Sequence, residues 1–171
     1  METWDAIRAR RNVRSYTDEP IEPAQLERIL EAARRTPSSR NWQPWDFVVV
    51  TERERLQQLA TVWQGAAHVA TSAATIALIT AVHASERDQS IAWFDLGQAT
   101  MSIMIEAADL GIGTGHSAVG DQDLARALLG LPADRQCAFL IALGHPAERP
   151  LAPLTKINRR PFDEVVHRER W

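Results

Sequence analysis

The stretch DQSIAWFDLGQATMSIMIEAADLG, residues 88–111, decides the fold. Ile91, Phe94, Leu96, Met101, Ile103, Met104, Ile105 and Leu110 recur at helical spacing and cover more than one face. Such a helix cannot sit on a solvated surface; it is expected at the centre, with a further face against a partner subunit. Gly111 is its expected stop. Around it lie short apolar runs rich in β-branched residues: DFVVVT (46–51), AATIALITAV (73–82) and QCAFLIALGH (136–145). Each reads as a strand, the last two as buried ones. IGTGHSAVG (112–120) is a glycine-rich connection, in part a strand.

Further helices are predicted over TWDAIRARR (3–11), IEPAQLERILEAARRT (21–36), ERERLQQLATVW (52–63) and DQDLARALLGL (121–131). Thr3 and Asp121 are the expected N-caps, and Pro23 suits a first turn. PSSRNWQPW (37–45) is a loop. Helices and strands follow in irregular order, so the class is α+β rather than a doubly wound sheet. From about residue 146 to residue 171 the chain is proline- and charge-rich, with little to build a core. It reads as an arm over a surface, with FDEVVH (162–167) as a short strand. The 171 residues make one domain, 1–171, with this extension.

The formal net charge of −3 excludes a general nucleic-acid-binding surface. The single cysteine, Cys137, excludes an intrachain disulfide and a CxxC site. A cytoplasmic location is expected: METWDAIRARR has no apolar leader core, and 73–82 is too short for a membrane span of about 20 residues. HExxH, P-loop and GxSxG motifs are absent. The five histidines form no metal spacing, and loop or surface roles are expected for most; no metal site is predicted. GIGTG (111–115) follows a helix and lacks dinucleotide spacing, so it is a weak phosphate signal.

What remains is arginine. RRNVRSY places Arg10, Arg11 and Arg14 within five positions, and the tail carries Lys156, Arg159 and Arg160. Clustered guanidinium groups suit a phosphate, whose oxygens they grip in a fork. On composition alone a solvated face with surface ion pairs is the better reading.

The order of these pieces changes that weighing. RRNVRSY, PSSRNWQPW, the long helix ending in LGIGTG, then ALGHP and RRPFDEVVH together resemble the nitroreductase family, FMN-dependent NAD(P)H oxidoreductases, over nearly the whole chain. The resemblance implies a mixed central sheet flanked by helices and a homodimer with FMN at the subunit interface, the C-terminal arm exchanged between subunits. It assigns Arg10 and Asn12 to the FMN phosphate and ribityl chain, with Asn12 standing where serine is usual. Arg11 would add a backbone or ribityl contact, and Arg14 would face the flavin N1 and C2 carbonyl. Pro37, Ser38 and Ser39 would come from the other subunit, along the dimethylbenzene edge and ribityl chain. Asn41 would order that loop or touch the cofactor.

Gln64 stands near a family amide that reaches the pyrimidine. Ser117, Ala118 and Val119 are placed to offer a backbone N–H to flavin N5, with His116 lining the ring. Arg159 fits the second phosphate ligand, with Arg160 beside it. No side chain is implied as a catalyst. The implied reaction passes hydride from NADH or NADPH through the flavin to a nitroaromatic, quinone or similar small acceptor, with ping-pong kinetics. Three alternatives stay open: a flavin-binding storage or regulatory protein, a specialised flavin reaction, and a deazaflavin in place of FMN.

Overall fold

The computed structural model describes every residue except Ile157. Strands β1 (Asp46–Val50), β2 (Ala74–Ala81), β3 (Gly113–Ala118) and β4 (Arg135–Gly144) form one sheet in the order β1-β2-β4-β3. All three pairings are antiparallel. Among the described residues the one parallel pairing is an isolated bridge from Asn12 to Thr114 on the outer edge of β3. The helices are α1 (Thr3–Ala9), α2 (Pro23–Arg34), α3 (Arg53–Leu59), α4 (Glu86–Asp109), α5 (Gln122–Leu129) and a single turn, α6 (Phe162–Val165). Short 3₁₀ segments cover Ser39–Asn41 and Gln64–Thr71. The α+β class is therefore observed.

Both faces of the sheet are covered, which is why β2 and β4 are almost continuously apolar. On one face Ala74, Ile76 and Leu78 of β2 pack with Ile29 of α2 and Leu96, Ile103 and Ala107 of α4. On the other, Ala77 and Ile79 pack with Leu56 and Leu59 of α3, Val69, Ala125 of α5, and Val13 and Tyr16. A register shift lets Leu78 face Phe139 while Ile79 faces Cys137. The extra residue, Ala138, turns inward beside Phe139, and alternation resumes on either side. Cys137 is buried, and burial pushes its thiol up to about 12.

The 24 residues of α4 make it the longest helix. Ser85 caps it by accepting the Asp88 N–H, and Gly111 leaves it with a left-handed φ of 77°. Its buried side includes Ala92, Leu96, Ala99 and Ile103. A second side leaves Phe94 70% and Met101 38% exposed, with Gly97 facing open space between them. Asp121 caps α5 as expected, accepting the Leu124 N–H at 2.9 Å.

Three local expectations change. Glu2, not Thr3, occupies the N-cap of α1. The predicted third helix ends at Leu59, before the 3₁₀ segment. FDEVVH is not a strand: its first four residues form α6, with Pro161 as N-cap and Asp163 and Glu164 in the first turn. With no ladder offered by its own chain, β-branching does not decide the conformation there.

Candidate functional site

RRNVRSY lies along the outer edge of β3. Arg10 is the C-cap of α1, with φ −58° and ψ 125°, so the chain leaves the helix extended. Val13 then donates its N–H to the Thr114 carbonyl at 2.8 Å, and Tyr16 bridges to Pro146. The buried Tyr16 hydroxyl donates to the Val13 carbonyl at 2.7 Å, and burial raises its pKa far above the usual phenol value. Val13 and Tyr16 turn into the core while Asn12 and Arg14 stay exposed.

The glycines of GIGTG permit this approach. A Cβ on Gly113 would stand 2.8 Å from the Val13 side chain, and one on Gly115 only 2.4 Å from the Val13 carbonyl oxygen. Their missing side chains make room for Val13, its side chain at Gly113 and its carbonyl at Gly115.

Buried His68 closes the same spot. It sits in the Gln64–Thr71 segment, and its Nε2–H donates to the Gly115 carbonyl at 3.1 Å. Burial lowers its pKa; the hydrogen bond to Gly115 opposes this in part, and the charges of Arg14 and His116 add to the lowering. The net direction favours the neutral ring beside β3. His116 itself is exposed, as is Ala118, while Ser117 is buried and Val119 half-buried. β3 is an edge strand, and the bridge to Asn12 covers only its first half. Its outer backbone from His116 onward is available to a ligand. Trp63 packs against Gly120, whose added Cβ would meet the indole at 2.3 Å, and Gln64 next to it is exposed.

Other expected residues lie apart. Arg11 donates to the Arg149 carbonyl at 2.7 Å, so it ties down the arm. With Ala147 bonded to Ser15 and Leu154 to Arg8, the arm from Pro146 to Leu154 runs back along its own N-terminal segment. Arg159 donates to the Asn158 carbonyl, and Arg160 pairs with Glu164. Among the described residues neither bonds to the Arg10–Arg14 segment.

Pro37, Ser38 and Ser39 sit against α4, while Asn41 is exposed and bonds within the loop, its N–H donating to the Ser38 carbonyl. Pro37 and Ser39 face Ile91 and Phe94 across a groove of about 480 Å³. The Ser39 N–H donates to the carboxylate of Asp95 at 3.0 Å. Ser38 Oγ accepts the Gln43 N–H at 2.9 Å. Arg40, Asn41 and Gln43 have φ of 53°, 58° and 53°. Three left-handed non-glycine residues in four positions cost about 1 kcal/mol each or more, and persist only where surroundings enforce them. The Arg10–Arg14 edge and the Pro37–Asn41 loop are two separate candidate segments, with no hydrogen bond between them among the described residues.

Sequence reasoning did not single out His68, Tyr16 or Asp95. His68 and Asp95 find their partners 47 and 56 residues away, and the Tyr16 hydroxyl, besides its local bond to Val13, reaches the Ala142 carbonyl at 3.4 Å, so only the tertiary structure reveals their roles.

The donor set suits a phosphate-bearing ligand. Arg10 has its Nε buried without a hydrogen-bond partner. A buried guanidinium N–H left unpaired carries a desolvation penalty that an anion would relieve. Among the described residues no cluster of three metal-ligating side chains occurs, and no helix is long and apolar enough to cross a membrane.

This is an α+β domain whose edge strand and arginine segment form a candidate site for an anion. The chain belongs to the nitroreductase family, whose model matches residues 7–66 and 60–145, and it is an oxidoreductase of that family. A protein of Archaeoglobus fulgidus, provisionally named NADH dehydrogenase/NAD(P)H nitroreductase, is 30% identical over 169 residues, covering 96% of each chain. An FMN reductase [NAD(P)H] of Bacillus subtilis is 28% identical, covering 94% of this chain and 71% of its own. The structure of the NADPH:FMN oxidoreductase of Vibrio harveyi complexed with NAD+ superposes with a TM-score of 0.85 at 26% identity. It covers 97% of this chain and 76% of that one.

Proposed function

We propose that the protein is an FMN-dependent NAD(P)H oxidoreductase that reduces a nitroaromatic, quinone or similar small acceptor by a ping-pong mechanism. The observation that carries this is Arg10, whose buried, unpartnered Nε lies at the start of a segment bonded to the edge of β3. Arg10 and Asn12 hold the phosphate end, with Arg159 and Arg160 joining from the arm. Arg14 sets a fixed positive charge at the ring end, where it favours the reduced, anionic flavin. The backbone at Ser117, Ala118 and Val119 supplies N–H groups to the ring, and His116 and Gln64 line it. FMN supplies the hydride chemistry, which explains why no side-chain catalytic kit is present.

The working unit is a homodimer. Loop residues Pro37, Ser38, Ser39 and Asn41 of one chain complete the site on the other, and the arm beyond Leu154 crosses over. Support comes from the exposed Phe94 and Met101 stripe on α4 and from the separation of the two candidate segments within one chain. The test is direct. The purified protein mixed with FMN should become yellow after desalting and bleach anaerobically with NADH or NADPH. A protein that stays colourless after incubation with FMN would refute the proposal.

A further inference from the structure

Asp95 is a fully buried carboxylate in the middle of the most apolar helix. Among the described residues no cation pairs with it. A buried carboxyl group with no cation beside it is expensive and persists only where its hydrogen bonds are needed. It has two: Oδ2 accepts the Ser39 N–H at 3.0 Å, and Oδ1 accepts the Gln98 side-chain amide at 3.1 Å. The first reaches from α4 to the loop carrying the left-handed run Arg40, Asn41 and Gln43. The loop's other ties are neutral hydrogen bonds within it, Ser38 to Gln43, Asn41 to Ser38 and Trp42 to Ser39, with Thr36 Oγ1 to Ser102 Oγ at its root and the Trp42 ring against that of His83.

We propose that Asp95 is a positioning residue, a latch that holds the Pro37–Gln43 loop against α4 in its strained conformation before any ligand arrives. The inference rests on the reading above, in which this loop completes the FMN site of the partner subunit. A backbone N–H bonded to a buried carboxyl oxygen, shielded from water, is among the stronger single ties a loop can have. Supplied by a rigid helix, it spares the loop the ordering that binding would otherwise demand. Gln98 holds the other carboxylate oxygen and so fixes the orientation of the acceptor.

The test uses the full-length protein without FMN. Arg40 is exposed and followed by Asn41, so trypsin can report on the loop by cleavage at that bond. Asp95→Ala and Asp95→Leu should speed this cleavage about tenfold or more, read by mass spectrometry, while circular dichroism stays native. Asp95→Asn retains an acceptor for Ser39, and the Gln98 amide can turn to match it, so this variant should restore wild-type cleavage. Where the core variants fail to fold, Ser39→Pro removes the donated N–H from an exposed position. Ser38, with φ −142° and ψ 158°, already has the backbone that a following proline requires. Ser39→Pro should cleave faster than Ser39→Ala, which keeps the N–H.

FMN affinity should weaken in parallel with cleavage. Folded Asp95→Ala cleaving at the wild-type rate, or Ser39→Pro matching Ser39→Ala, would overturn the latch. Wild-type protein that does not bind FMN would instead overturn the functional reading and leave the cleavage comparison standing.

Discussion

Gly115→Ala probes the junction between the arginine segment and the sheet. An added Cβ would stand 2.4 Å from the Val13 carbonyl oxygen and 2.8 Å from the His68 ring. Ordinary contact is nearer about 3.4 Å, so the segment must retreat by about 1 Å. It cannot do so freely, because its hold on β3 is the Val13 N–H to Thr114 bond of 2.8 Å. Stretched by about 1 Å, that contact is no longer a hydrogen bond. Overpacking costs about 1–3 kcal/mol and the lost bond about 1 kcal/mol, so the variant should lose about 2–4 kcal/mol. Urea denaturation followed by far-UV circular dichroism measures this. Arg10, Asn12 and Arg14 move with the segment, so FMN affinity should fall about tenfold or more, read by quenching of flavin fluorescence. Stability within about 0.5 kcal/mol of wild type, together with unchanged affinity, would refute the packing argument.

Two other outcomes follow. Asp121→Ala removes the side chain that accepts the Leu124 N–H and should cost about 1 kcal/mol, seen as a lower urea midpoint with unchanged slope. His68 has a lowered pKa in the folded chain, so the unfolded chain binds its proton first as pH falls. Its contribution is therefore present above about pH 6.5 and lost on acidification below it, and His68→Gln should flatten that part of the stability profile. An NMR midpoint for the His68 ring above about 6.5 would contradict the assignment.

The framework was legible where local chemistry dominates. The apolar runs of β2 and β4 had to be buried on both faces, and α4 announced itself by apolar residues on more than one side. Asp121 and Gly111 marked helix ends through capping and left-handed φ. Gln64–Thr71 escaped notice because a glycine-alanine run has no readable period. FDEVVH misled because strand propensity has meaning only beside a partner strand. At the candidate site, arginine clustering pointed to the segment but could not separate its members. Arg11 spends its guanidinium on the Arg149 carbonyl, whereas Arg10 keeps a buried donor unpaired. Histidine and aspartate within apolar stretches looked incidental until the fold brought Gly115 and Ser39 to them.

The measurement that bears most directly on the account compares FMN with riboflavin, which lacks the phosphate, on the same apoprotein. If Arg10 and Asn12 receive that phosphate, FMN should bind at least about tenfold more tightly, and Arg10→Ala should erase most of the difference. Equal affinity for the two flavins in the wild-type protein would contradict it.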